Sequence, residues 1–193
     1  QSMIDRSAAG ELAAEVVVVI SDRPDAYGLV RAEKARIPHF VVDYGSHGRA
    51  APHTMSNEGP GLDLEELDRT QKILREPDRE KRLRRLTRLV SAERELISTL
   101  DRFQPDFVCL AGYMRLVTPF FIHHYKTDGR WRVLNIHPAL LPAFPGMHGY
   151  EDTLAYGCRW GGVTVHFVDE GEDSGPIIAQ AVWAGLLVLV GKA

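Results

Sequence analysis

The chain has 193 residues, 45% apolar and 25% charged, which fits one globular domain with a core of ordinary size. A net charge of −3 argues against a polyanion-binding surface, and no apolar run is long enough to span a bilayer as a helix. Two cysteines without CxxC spacing, and no signal-peptide pattern at the start, point to free thiols in a reducing, cytoplasmic setting.

The opening QSMIDRSAAGEL has apolar residues at helical spacing and predicts a helix without a clear cap. EVVVVIS, Glu15 to Ser21, is a continuous β-branched run and predicts a strand buried on both faces. DAYGLVRAEKAR predicts an amphipathic helix closed before Pro38, and HFVVD predicts a second strand. This β-α-β order favours a right-handed parallel crossover. From Gly45 to Gly61 turn residues dominate and predict a surface loop. Leu62 to Phe103 is highly charged, with leucines at helical spacing and a break at Pro77, and predicts two helices. Its REKRLRRLTR run reads as a solvated helix face, not a nucleic-acid patch, because acidic residues flank it.

DFVCLAG, Asp106 to Gly112, predicts a third buried strand with Cys109 as a core thiol. TPFFIHHY predicts a short helix with Thr118 as its cap and Pro119 at its first position. RVLNIH is the fourth strand, and GYEDTLAYG a short helix. GVTVHFVDE is a strand with alternating faces, and GPIIAQAVW the last clear strand. The tail AVWAGLLVLVGKA reads as a terminal strand or a disrupted end. The class is α/β with a mostly parallel sheet.

VLNIHPALLPAFPGMHG, Val133 to Gly149, carries the chemistry. An apolar strand ends on Asn135 and His137, which are two apart and point to the same side. Pro138, Pro142 and Pro145 then stiffen the exit. In an open α/β sheet, ligands bind beyond the carboxyl ends of the strands. An Asn amide there is a neutral donor for developing oxygen charge, and a His exchanges protons near neutral pH. The loop DEGEDSG, Asp169 to Gly175, offers Asp173 as the carboxylate that keeps the His protonated. Donor, acid and carboxylate suit acyl transfer to an amine, and no serine or cysteine nucleophile is evident. A strand-end Asn and His also satisfy backbone groups in many folds, so spacing alone leaves a structural role open. The scattered histidines lack metal-ligand spacing, so no metal is expected. His166, alternating with apolar residues in VTVHFV, is either ligand-facing or structural.

NIHPALLPAFPGMHG closely resembles the signature of the folate-dependent phosphoribosylglycinamide formyltransferase family of purine synthesis. AGYMRLVTP before it and GVTVHFVDEGEDSGPIIAQ after it continue the resemblance, as does VVISDRPDAYGLVRAEKARIP near the start. It implies formyl transfer from 10-formyltetrahydrofolate to the amine of glycinamide ribonucleotide. Asn135 would hold the formyl oxygen, His137 would stabilise it as the protonated partner, and Asp173 would orient His137 and help move the amine proton through water. The folate site would be formed along Met114, Arg115, Leu116 and Val117, with His166, Asp169 and Glu170. His148 matches a family histidine near the catalytic carboxylate.

The implied fold is a three-layer αβα formyltransferase domain over residues 1–193, with a loop and charged helical insertion at 45–100 and an atypical tail at 184–193. The implied partners are small molecules, with no nucleic acid, membrane or metal; the family also admits a homodimer. Against the family's pattern the chain begins at or past the first strand and its phosphate-holding loop, and departs after Gln180. The expectation from this is weak binding of glycinamide ribonucleotide. Glu172 also stands where an apolar residue is common. Related tRNA enzymes usually carry Arg-Gly after LLP, and the hydrolases usually carry a second His where this chain has Pro138. Both features favour the purine enzyme over another folate-dependent enzyme; an inactive remnant is the third alternative.

Overall fold

The structure, a computed structural model, describes residues 2–49 and 63–184. In chain order its elements are α1 (Ser2–Ala8), β1 (Val19–Ser21), α2 (Tyr27–Lys34), β2 (His39–Val41), α3 (Leu64–Thr70) and α4 (Arg79–Leu100). There follow β3 (Val108–Leu110), α5 (Pro119–His124), β4 (Val133–His137), α6 (Gly149–Ala155), β5 (Trp160–Phe167) and β6 (Ile177–Ala184). They group into two compact units, Gln1–Leu64 with Arg79–Asp106, and Glu65–Asp78 with Phe107–Ala193.

In the first unit β1 and β2 pair in parallel, Val19 opposite His39 and Ser21 opposite Val41, as the β-α-β order requires. The strand is shorter than EVVVVIS predicts, and half-buried where burial on both faces was expected. Pro38 has no N–H to give a ladder, so β2 starts at His39 and β1 starts opposite it. α4 buries Leu86, Val90, Ile97 and Leu100 at helical spacing. Arg84, Arg85 and Arg88 are exposed, which makes the basic run the solvated face its flanking acids predict.

The second unit is built on a four-stranded sheet in the order β3-β4-β5-β6. β3 and β4 are parallel; β5 and β6 add antiparallel, so this sheet is mixed. Pro119 opens α5 behind Thr118, as predicted, although the Thr118 side chain makes no capping bond. Phe121, Ile122, Val133 and Ala139 are among the fully buried side chains. Cys109 departs from the expected core thiol. β3 is the edge of its sheet, alternation sends Cys109 to the face opposite Val108 and Leu110, and that face is open.

The loop expected over 50–62 and the tail over 185–193 lie outside the described residues. Among the described residues no helix is long and apolar enough to cross a membrane.

Candidate active site

β4 brings Asn135 and His137 to one face, and the antiparallel ladder sets Asn135 opposite His166 and His137 opposite Thr164. Four polar side chains therefore meet on a two-strand surface whose other residues are apolar. His137, Thr164 and His166 are buried, at 2%, 0% and 2% exposure. Burial of this kind is tolerated only where each polar atom has a partner, and among the described residues no buried side-chain polar atom lacks one.

The partners of His137 fix its charge. Its Nδ1 stands 3.1 Å from Asp173 Oδ2. Its Nε2 donates to the Phe144 carbonyl at 2.8 Å. Both nitrogens face acceptors, which favours the imidazolium. Burial pulls its pKa down, but the hydrogen bond and charge of Asp173, the Phe144 carbonyl and the charge of Glu172 outweigh it, and the pKa is raised. Burial pushes Asp173 upward in turn; His137, His166 and the Gly146 N–H, 2.7 Å from Asp173 Oδ2, hold it far below the usual carboxylate range instead.

Asn135 is aimed by His166. His166 Nδ1 lies 2.8 Å from the Phe167 carbonyl, to which it donates, and that leaves Nε2 to accept. Asn135 Nδ2 is 3.3 Å from that Nε2 and donates to it. The amide keeps a second N–H for a ligand oxygen. His166 Nε2 also stands 3.5 Å from Asp173 Oδ1. One nitrogen cannot accept from Asn135 and donate to Asp173 at once, so the two contacts are alternatives.

The segment after β4 is held by a small network. Thr164 Oγ donates to the Ala139 carbonyl at 2.8 Å and accepts from Leu141 N–H at 3.0 Å and Gln180 Nε2 at 3.0 Å. Gln180 also donates to the Leu141 carbonyl at 2.9 Å. Phe144 sits at φ 54, in the left-handed region, and its carbonyl is turned to His137. A Cβ at Gly149 would come within 2.7 Å of His137 Nε2, so only glycine lets the backbone lie against the ring.

The loop carrying Asp173 is braced from within and from outside. Asp169 Oδ1 accepts from Gly171 N–H at 3.1 Å and from Ser174 Oγ at 2.7 Å. Glu170 pairs with His123 at 2.8 Å, and that bond holds the Glu170 carboxyl below its ordinary value. Gly175 closes the loop onto β5, where any Cβ would fall 1.8 Å from the Phe167 carbonyl oxygen.

Asn135, His137, His166 and Asp173 thus converge. Asp169 and Glu170 lie in the same loop as Asp173. Met114 and Arg115 are exposed, Leu116 is half-buried, and Val117 is buried. His148 is exposed at the start of α6, with no bond to Asp173. Thr164, Gln180, the Phe144 carbonyl and the Gly146 N–H escaped sequence reading. Thr164 had a signal, since it lies two before His166 on the buried face of an alternating strand. The two backbone groups had none. Among the described residues no group of His, Cys, Asp or Glu is arranged to hold a metal. The arrangement can bind a developing oxygen anion between a neutral N–H donor and a positive charge.

The family model for formyl transferase matches residues 1–184. Phosphoribosylglycinamide formyltransferase of Escherichia coli K12 is 34% identical over 188 residues, which cover 96% of this chain and 68% of that protein. Glycinamide ribonucleotide transformylase 1 from Symbiobacterium toebii superposes with a TM-score of 0.69 at 34% identity, over 95% of this chain and 66% of that one. A formyltetrahydrofolate deformylase from Pseudomonas syringae pv. tomato superposes with a TM-score of 0.62 at 26% identity, over 95% of this chain and 46% of that one. The chain spans about two thirds of the length of the first two relatives.

Proposed function

The chain belongs to the formyl transferase family, among the phosphoribosylglycinamide formyltransferases, and from that premise we propose that it moves a formyl group from 10-formyltetrahydrofolate to the amine of glycinamide ribonucleotide. The observation that carries the reading is the Asn135–His137–Asp173 arrangement, in which a donor amide and an imidazolium share one strand face above a carboxylate. Attack of an amine on the formyl carbon puts negative charge on the formyl oxygen. The free N–H of Asn135 is the donor for that oxygen. Both N–H groups of His137 are already engaged, so the ring acts on the oxygen by its positive charge. Asp173 holds that charge in place, and His166 fixes the orientation of Asn135.

Met114 to Val117 with Asp169 and Glu170 are read as the folate-binding segments, Arg115 being an exposed cation for an anionic tail. Two free cysteines, Cys109 and Cys158, support a reducing, cytoplasmic setting. The family model runs through residues of both compact units, which supports reading the chain as one formyltransferase domain.

The test is a formyl-transfer assay with 10-formyltetrahydrofolate, with and without glycinamide ribonucleotide. Asn135→Ala should lower the rate by ~10²–10³, the usual cost of one oxyanion donor. Formyl release at the same rate without the amine would favour the deformylase-like alternative. A rate indifferent to Asn135 would sink the assignment.

A further inference from the structure

The loop that carries Asp173 is folded tightly on itself. Asp169 Oδ1 ties Gly171 to Ser174, and a Cβ on Gly171 would collide with the Ser174 hydroxyl. Asp173 sits at φ 51, a left-handed backbone that a residue other than glycine keeps only where its surroundings hold it. A loop so braced moves as a piece, and what grips one end of it fixes the other. The grip is at Glu170. Its side chain meets His123 Nε2 at 2.8 Å, and its carbonyl accepts from Lys72 N–H at 3.3 Å.

Lys72 belongs to the charged insertion at 45–100, to which the formyl-transfer reading gives no task. Within it, Glu65–Asp78 groups with Phe107–Ala193, although the residues on either side group with the other unit. After α3 the chain turns at Gln71, which is buried. Gln71 Oε1 accepts from Ile73 N–H at 3.0 Å and from Leu74 N–H at 2.7 Å. Its Nε2 donates to the Leu74 carbonyl at 3.3 Å. One amide side chain thus supplies the hydrogen bonds that hold this irregular turn. Leu67, Ile73 and Leu74 are buried and anchor it. With the Ile73 and Leu74 amides taken by Gln71, the Lys72 N–H goes to Glu170.

We propose that Gln71 is a positioning residue for the transfer reaction: it shapes the turn whose Lys72 N–H grips Glu170, and the gripped loop sets Asp173 against His137. The kinetic part of this inference rests on the formyl-transfer reading; the geometric part does not. Gln71 touches no reacting atom. It acts through Lys72, Glu170 and Asp173, and the last link is the 3.1 Å contact of Asp173 Oδ2 with His137 Nδ1. The charged groups facing that ring are Asp173 and Glu172, both on the gripped loop, with His166 beside Asp173. Loosening the loop moves Asp173 away from the imidazolium and weakens its hold, since attraction falls with distance. A misplacement of about an ångström can cost ~10²-fold in rate.

The experiment uses the full chain and begins with the wild type. The Lys72 amide should exchange at least ~10-fold more slowly than a free amide, although it lies outside any helix or strand. Free exchange would show that there is no grip, and it overturns the proposal whether or not a variant folds. The His137 titration midpoint by NMR and steady-state transfer are then compared in the wild type, Gln71→Leu and Gln71→Glu, well below their unfolding transitions. Gln71→Leu removes all three bonds of the turn, so the midpoint should fall and kcat should drop on the order of 10-fold. Gln71→Glu keeps the acceptor for Ile73 and Leu74 and should recover most of both. A turn that served stability alone would leave the midpoint and kcat of folded Gln71→Leu at their wild-type values, and that result overturns the proposal. So does a midpoint that falls with kcat within about twofold of wild type. Equal losses in the two variants also overturn it, because the bonds to Ile73 and Leu74 would then not be what matters. A wild type that transfers no formyl group, while the midpoint still falls in Gln71→Leu, refutes the transfer reading and upholds the grip on Asp173.

Discussion

A buried imidazole ordinarily gives up its proton, because burial penalises the charged form. His137 keeps it because Asp173 lies 3.1 Å from Nδ1 and the Phe144 carbonyl 2.8 Å from Nε2. Transfer that depends on the imidazolium should persist above the ordinary imidazole pKa of ~6.5 and decline on an alkaline limb. Asp173→Asn should move that limb to lower pH, which a rate profile for the two proteins would reveal; an unmoved limb would mean that another group sets it. The same pair makes stability depend on pH with opposite signs. Asp173 contributes above the unfolded carboxyl value of ~3.9 and loses its contribution as pH falls through its lower folded value. His137 contributes fully below ~6.5 and loses its contribution as pH rises through its higher folded value. Denaturant midpoints should therefore be higher at about pH 5.5 than at about pH 9, and Asp173→Asn should flatten the difference. Equal midpoints in the wild type would contradict the pairing.

At the scale of elements, β4 and β5 act as one surface. Asn135 and His137 come from one strand, Thr164 and His166 from the other, and antiparallel register brings them opposite. Thr164 ties the pair to the segment behind it through bonds to Ala139, Leu141 and Gln180. Thr164→Val keeps the shape and removes all three bonds, leaving the Leu141 N–H without its acceptor. The expected cost is about 1–3 kcal/mol of unfolding free energy, the usual penalty for a stranded buried polar group, measurable by urea denaturation. A variant as stable as the wild type would show that the network is relieved some other way. Sequence reading placed these strands well, because alternation in VTVHFV and the sharp apolar-to-polar change in VLNIH are local signals. It overestimated β1, because the length of a strand is set by its partner, and β2 begins only after Pro38.

For the molecule as a whole, every residue assigned to the catalytic arrangement and the folate segments falls in the compact unit formed by Glu65–Asp78 and Phe107–Ala193. A folate analogue should therefore slow amide exchange most over 114–117, 135–137 and 166–173, and far less over 2–49. At a hundred times its Kd it should stabilise the protein by about 2.7 kcal/mol. Uniform protection along the chain would argue against this placement. The order of strands and helices, the break at Pro77, the solvated basic face of α4 and the candidacy of Asn135, His137 and Asp173 were legible in the sequence alone. Periodicity, breakers and side-chain chemistry are properties of neighbours along the chain. The exposure of Cys109 and the donors that fill Asp173 were decided only by tertiary structure. Each depends on what other segments bring to a residue: the open face of an edge strand, an imidazole from β4, an N–H from Gly146. Burial and charge are set by neighbours in space, and a residue's neighbours in sequence do not specify them.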